Sequence, residues 1–381
     1  MKSLFKYIFA IAAISLILGA CGTTPENDQP EEPGQEEPTP DGPGTNDPSL
    51  EAPDLSATPD TVPPYGPNGD AYIPLISNPG SFAKGADVGW VTELESKGEK
   101  FYNSAGEETE LMELLRDECG INSIRLRVWV NPTDGWNSID DVLVKSRRAR
   151  ELGLRLMIDF HFSDWWADPG KQTIPSAWAG MTLEEAKVAL AGHVTEMLML
   201  LKYYGIEPEW VQIGNETTTG MMWPLGSTSN GDNFAQLVTA GYDAVKAIFP
   251  GSLVIVHVDE GNRQSKYDFL FGKLKNAKYD MIGMSLYPEA STWKKVVSDC
   301  LANIEHCQQT FNKPVMICEI GYDSDKPLEA QQMLQTMLDG ALERNVKGIF
   351  WWEPESTMAN TGYGKGAFEN GRPTSALNPF K

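Results

Sequence analysis

The chain has 381 residues, of which 53 are Asp or Glu and 31 are Lys or Arg, for a formal net charge of −22. So acidic a balance argues against a nucleic-acid binder. Hydrophobic residues, at 41%, suffice for a packed core, but the 26 prolines and 35 glycines are spread too unevenly for one uniform domain.

At the start, Lys2 and Lys6 precede an apolar run from Tyr7 to Leu18, too short to span a bilayer comfortably, so residues 1–20 read as a signal peptide. Leu18-Gly19-Ala20-Cys21 resembles a bacterial lipobox, which predicts cleavage before Cys21 and a lipid on its thiol. The alternative is an ordinary secretory signal with an incidental cysteine. Residues 22–70 hold 12 prolines, 12 acids and no Lys or Arg, so a disordered, self-repelling tether is expected over 21–80. The expected membrane partner is the outer membrane of a Gram-negative bacterium, reached through the lipid on Cys21, with display at the cell surface.

From residue 81 to 381, short β-branched or aromatic runs alternate with longer amphipathic segments, the pattern of βα units. Eight strands are expected at 85–90, 123–130, 154–161, 210–216, 253–257, 281–287, 315–319 and 348–352. Helices are expected near 106–118, 138–152, 182–204, 233–249, 292–310 and 328–344. The third of these opens with Thr182-Leu-Glu-Glu185, a capping box. Eight units in about 300 residues fit an α/β fold of the (β/α)8 barrel type. A doubly wound sheet is the alternative, but no GxGxxG or Walker loop occurs in the sequence. Cys119, Cys300, Cys307 and Cys318 show no metal-binding spacing and read as buried thiols, with a structural disulfide as the alternative.

The strands end in residues that would be costly in a core: Arg127, Asp159, His161, Asn215, Glu216, His257, Tyr287 and Glu319. In a barrel these ends converge on one mouth, where the active sites of this fold lie. Nine of eleven tryptophans (Trp90, Trp129, Trp136, Trp165, Trp166, Trp178, Trp223, Trp351, Trp352) fall at strand ends or in the loops that follow. Some could plug the mouth as core; a rim of the others suits sugar rings, whose faces are apolar and whose edges are hydroxyls.

Glycoside hydrolysis needs two carboxyl groups, one protonated and one ionised. Glu216 and Glu319 form the expected pair, with a gap of about 6 Å from barrel geometry, which leans towards retention. Arg127 is expected beside Glu319 to hold it ionised, with Tyr287 donating to the same carboxylate. Glu216, lacking a cationic partner, would keep its proton and serve as acid and then base, with Asn215 placed for the substrate 2-hydroxyl.

The segments Gly85-Ala-Asp-Val88, Arg125-Leu-Arg-Val-Trp-Val-Asn-Pro132, Asp159-Phe-His-Phe-Ser-Asp-Trp-Trp-Ala-Asp-Pro169, Gly214-Asn-Glu216, Ile317-Cys-Glu-Ile-Gly-Tyr322 and Phe350-Trp-Trp-Glu-Pro354 carry a resemblance. The chain resembles glycoside hydrolase family 53, the arabinogalactan endo-β-1,4-galactanases, within the clan of retaining (β/α)8 glycosidases. The resemblance implies Glu216 as acid/base, Glu319 as nucleophile, and the β-1,4-galactan side chains of pectin as substrate. It implies Arg127, His161, Asn215, Tyr287 and Trp352 around the sugar cleaved; Asp87 and His257 are also expected to bind substrate. It further implies Asp159, Asp164, Trp165, Asp168 and Trp178 on the glycone side of the groove. Some relatives hold a structural calcium after the eighth strand; only 27 residues follow Pro354 here, so no metal site is expected and no cofactor is required. A monomer is expected.

Two other functions fit the residues less well. A noncatalytic glycan-binding lipoprotein would not need carboxylates ending both the fourth and seventh strands. A related enzyme acting on mannan, xylan or β-glucan would differ in loops that sequence alone does not place.

Overall fold

The computed structural model describes residues 80–381. The expected signal peptide, Cys21 and all of the tether up to residue 79 lie outside the described residues. Eight parallel strands close into a barrel: β1 (Ala83–Asp87), β2 (Ser123–Val128), β3 (Arg155–Phe160), β4 (Trp210–Ile213), β7 (Leu253–Val258), β8 (Met281–Leu286), β9 (Val315–Ile320) and β10 (Gly348–Trp352), which pairs back onto β1. Two hairpins stand outside the ring: β5 (Gly220–Met221) with β6 (Gly226–Ser227), and β11 (Phe368–Glu369) with β12 (Arg372–Pro373).

The helices are α1 (Val91–Ser96), α2 (Leu111–Cys119), α3 (Ile139–Glu151), α4 (Leu183–Tyr203), α5 (Asn233–Ile248), α6 (Gln264–Lys273), α7 (Trp293–Phe311) and α8 (Pro327–Glu343). The capping box on α4 is formed in both directions, Thr182 N donating to Glu185 Oε2 at 2.9 Å and Glu185 N to Thr182 Oγ1 at 3.4 Å. Two helices, α1 and α6, are absent from the sequence expectation. Both are short, and neither Trp90 nor Arg263 caps with its side chain, so the usual start signal is missing. Helix α2 begins at Leu111 rather than 106 because Glu110 is its cap, accepting from Glu113 N at 2.7 Å.

Strand pleating divides the core into two layers. Outward residues such as Ile124, Leu126, Ile158, Val211, Val256 and Ile282 pack under the helices. Inside, Ala83, Met157, Trp210, Ile255, Met281, Met316, Cys318 and Phe350 form a separate apolar plug. The next inward layer is polar: Asp87, Arg125, Asp159, Gln212 and His257 are all buried. The barrel is therefore closed below by hydrophobic side chains and lined above, towards its C-terminal mouth, by groups that must satisfy one another. The four cysteines of the described residues are free and buried; burial pushes the Cys119 and Cys307 thiols up to about 12, which makes them packing groups rather than nucleophiles.

Candidate active site at the barrel mouth

Arg125, on the inward face of β2, organises the polar layer. Its guanidinium reaches Asp87 at 2.5 Å, Asp159 at 2.8 Å, and Gln212, Asn215 and Glu319 each at 3.0 Å. Burial opposes its charge, but the carboxylates of Asp159, Glu319 and Asp87 outweigh that and raise its pKa. One cation thus serves carboxylates on β1, β3 and β9.

Glu319 reaches this layer through a break in the strand ladder. Along β8 and β9 the pairing runs Met284 with Ile317, then Ser285 with Glu319, a shift of one residue. Strict alternation with Cys318 inside would turn Glu319 outwards; the bulge lets both face the interior. The Tyr287 hydroxyl donates to Glu319 Oε2 at 2.7 Å, and burial followed by the Glu319 charge keeps that phenol protonated. Burial raises the Glu319 carboxyl, and Arg125 and then Tyr287 oppose the rise.

Glu216 is presented by a turn. Strand β4 stops at Ile213, three residues earlier than expected, because Gly214 and Glu216 take left-handed φ values of 84° and 45°. At Gly214 a Cβ would stand 2.5 Å from Thr217 Cγ2, so glycine is required for space as well as for conformation. Burial first, then the Glu319 charge, raises the Glu216 carboxyl well above the usual glutamate range, against the Ser285 hydroxyl. The two acids therefore feel each other and titrate as a pair, with the lower step belonging mainly to Glu319.

Beside them, Asn215 Oδ1 meets Arg125, Gln212 at 3.2 Å and His257 Nδ1 at 2.9 Å, while Nδ2 donates to Ala167 O at 2.8 Å. His257 Nε2 meets Ser285 Oγ at 2.8 Å; burial, then the charge of Arg125, lowers its pKa well below the usual value and keeps it neutral. His161 Nε2 lies 3.0 Å from Asp159, and Nδ1 accepts from the Trp129 indole at 3.3 Å and Ala167 N at 3.4 Å. These contacts assign the proton to Nε2.

The structure corrects the expected position of Arg127. It pairs with Glu353 in the loop after β10 and stands 3.8 Å from Asp87; the cation at Glu319 is Arg125, one pleat repeat earlier on the same face. The Arg127 guanidinium lies over the rings of Trp166, Trp90 and Trp129 at 4.4, 5.1 and 5.4 Å. Trp352, ending β10, meets Trp90 at 5.2 Å and Trp166 at 5.8 Å between centroids, so these indoles form one wall.

The residues expected on the glycone side divide. Trp165 is 45% exposed and leans on Trp129 at 4.8 Å. Asp164 spends its carboxylate on loop closure, accepting from Asn131 N at 3.1 Å and from Ser176 N and Oγ at 2.8 and 2.7 Å. Asp168 accepts from Gly170 N at 2.8 Å in a similar turn. Trp178 is a correction: only 7% exposed, it packs edge-on against His193 of α4 as part of the core. Trp129, Trp136 and Trp351, also expected near the rim, are likewise buried. Sequence reading passed over Gln212, Ser285 and Glu353 as site members; the inward register they share with Arg125 or His257, or the motif around Trp352, was the available signal. Among the described residues no group of three or more His, Cys, Asp or Glu side chains is arranged to hold a metal ion.

Comparison with known proteins gives a consistent result. The profile of glycosyl hydrolase family 53 matches residues 83–339. A probable arabinogalactan endo-beta-1,4-galactanase A of Aspergillus tubingensis is 29% identical over 326 residues, 78% of this chain and 92% of that protein. An endo-beta-1,4-galactanase of Bacillus subtilis is 30% identical over 307 residues, 72% of this chain and 70% of its own length. Among solved structures, one from work on two fungal beta-1,4-galactanases superposes with a TM-score of 0.72 at 28% identity, covering 78% of this chain and 98% of that one. The Ignisphaera aggregans GH53 catalytic domain gives 0.70 at 27% identity, covering 81% and 98%.

Proposed function

The chain belongs to glycosyl hydrolase family 53, and we propose that it carries out that family's chemistry by double displacement, with Glu216 as acid/base and Glu319 as nucleophile. The activity is endo-β-1,4-galactanase and the substrate a β-1,4-galactan, in keeping with the fungal and Bacillus relatives. The observation that carries the residue assignment is the asymmetry of the two acids: Glu319 is bound by Arg125 and Tyr287, whereas Glu216 is raised well above the usual range and forms no ion pair among the described residues.

In this reading Glu319 attacks the anomeric carbon while the protonated Glu216 gives its proton to the leaving glycosidic oxygen. A covalent galactosyl ester forms, the Glu319 charge is lost, and Glu216, now ionised, takes a proton from water as that water opens the ester. Arg125 and Tyr287 hold the Glu319 carboxylate as it attacks in the first step and take up its returning charge as it departs in the second. Asn215 is the candidate contact for the 2-hydroxyl, and Trp352 with Trp90 and Trp166 the wall for sugar faces. The two carboxyls supply the acid, base and nucleophile, so the chemistry calls for no cofactor.

The finer setting is also proposed: galactan side chains of pectin as the natural substrate, a monomer, and attachment by lipidated Cys21 at the cell surface. NMR of the first-formed anomer from galactan tests the mechanism, since double displacement releases the β-anomer and single displacement the α-anomer. Protease shaving of intact cells tests the placement.

A further inference from the structure

A second pair of buried acids lies outside the proposed catalytic pair. Glu353 and Glu355, in the loop after β10, are 0% and 1% exposed. Glu353 holds two parts of the aromatic wall at once. Its Oε1 pairs with Arg127, which is stacked on Trp166, Trp90 and Trp129, and its Oε2 accepts from Trp90 N at 3.2 Å. Gly89 makes room for this junction: a Cβ there would stand 2.1 Å from Arg127 Nη1 and 2.9 Å from Glu353 Oε1. Glu353 itself sits at φ 46°, a strained value for a non-glycine residue. Both Glu355 oxygens are buried without a hydrogen-bond partner of normal geometry, and the group facing them is Glu353.

We infer that Glu353 is a positioning residue for the galactan-binding wall, and that Glu355 supplies the neutral carboxylic acid that lets Glu353 face Arg127 as a single anion. The inference rests on the galactanase reading only for the choice of ligand. The charges facing the pair are Arg127 from β2, Asp87 from β1 and the phenol of Tyr363 from the same loop. One cation can hold one of these buried anions beside Asp87, but not two. Burial, then the Glu353 charge, raises Glu355 well above the usual range; burial, opposed by Arg127, raises Glu353 to about 7. Loss of the protons on alkalinisation places two anions where one fits, and the repulsion falls on the junction that fixes Trp90 and Arg127.

The test uses the full chain carrying Glu216→Gln, so that ligand is not consumed and Glu216 does not titrate. Binding of β-1,4-galactotetraose is followed by tryptophan fluorescence from pH 7.5 to 9.5, above the Glu353 step, so that the change read is the loss of the Glu355 proton. Affinity is expected to fall about tenfold over that range, and Glu355→Gln in the same background, which cannot ionise, is expected to flatten the curve. Glu353→Gln is expected to weaken binding about tenfold already at pH 7.5, where wild-type Glu353 is ionised against Arg127. If that variant folds poorly, the Glu355→Gln comparison still decides. An unchanged pH slope in Glu355→Gln overturns the inference, as does unchanged affinity in a folded Glu353→Gln. Residual hydrolysis by Glu216→Gln would instead count against the catalytic reading alone, and the binding comparison is then read from the fluorescence amplitude on rapid mixing, before ligand is consumed.

Discussion

Cys318 and Glu319 are neighbours in β9, yet both side chains face the inside of the barrel, one in the apolar plug and the other bonded to Arg125 and Tyr287. A strand allows this only at a bulge, and the register with β8 shifts at that point. The nucleophile of the proposed mechanism is thus aimed by a backbone irregularity. Gly283 supports it: an added Cβ would stand 2.7 Å from Cys318 Sγ and 2.8 Å from Ile255 Cγ2. Gly283→Ala should therefore lower kcat on galactan and cost about 1–3 kcal/mol of stability, as overpacking does. Equilibrium urea unfolding and steady-state kinetics on the same preparation check this; a variant with wild-type kcat and stability would mean that the bulge is not held from below.

The proposed pair makes a kinetic demand. Glu216→Gln and Glu319→Gln should each reduce reducing-end release from galactan by about 10³-fold or more, and the double variant should lose little beyond the worse single one, because the two act as a unit. Either single variant retaining wild-type turnover would remove that residue from the chemistry.

Charge coupling predicts the pH behaviour. The Glu319 charge is the second cause raising Glu216, after burial, so Glu319→Gln should bring the Glu216 titration down, as read by carbon NMR of labelled glutamate. In the wild type, the acid limb of kcat/KM should lie above the ordinary glutamate range because burial raises Glu319, and the alkaline limb should follow Glu216. Stability follows the same sign. Glu216, Glu353 and Glu355 all have folded-state values above their unfolded ones, so their contribution is fully present below the unfolded glutamate value and is lost as pH rises through the folded ones. A melting temperature that rises steadily from pH 5 to 9 would contradict this.

Arg125 holds Asp87, Asp159 and Glu319 together. Arg125→Met should leave three buried carboxylates without their cation and destabilise the fold by about 3–5 kcal/mol, with Glu319 titrating higher. Tyr287→Phe removes only one hydrogen bond, so the fold should persist while kcat falls about tenfold and the acid limb moves up. Calorimetry and pH–rate profiles separate the two effects.

Trp178 and Trp165 separate packing from binding. Trp178→Ala should cost about 3–5 kcal/mol of stability with little change in KM, as expected of a buried aromatic. Trp165→Ala, at an exposed ring, should barely move the unfolding midpoint. A raised KM with unchanged stability in Trp178→Ala would return that residue to the groove.

Much of this protein follows from sequence alone. The alternation of β-rich and amphipathic runs, the capping box at Thr182, and polar residues ending apolar strands were enough to specify a closed barrel with a polar mouth. They were also enough to place Glu216, Glu319 and Tyr287 at that mouth, because such patterns are local and repeat with the period of the element. What the tertiary structure decided depends on groups far apart in the chain. Arg125 rather than Arg127 serves Glu319, since both lie on the inward face and only depth in the barrel distinguishes them. Glu319 points inward by a bulge that alternation cannot foresee, and Trp178 is core because α4 brings His193 against it. The Glu353 and Glu355 pair acquires meaning only where strands β1 and β2 bring Asp87 and Arg127 to it. Periodicity tells which face a residue takes, but the charge it meets there is set by the closure of the ring.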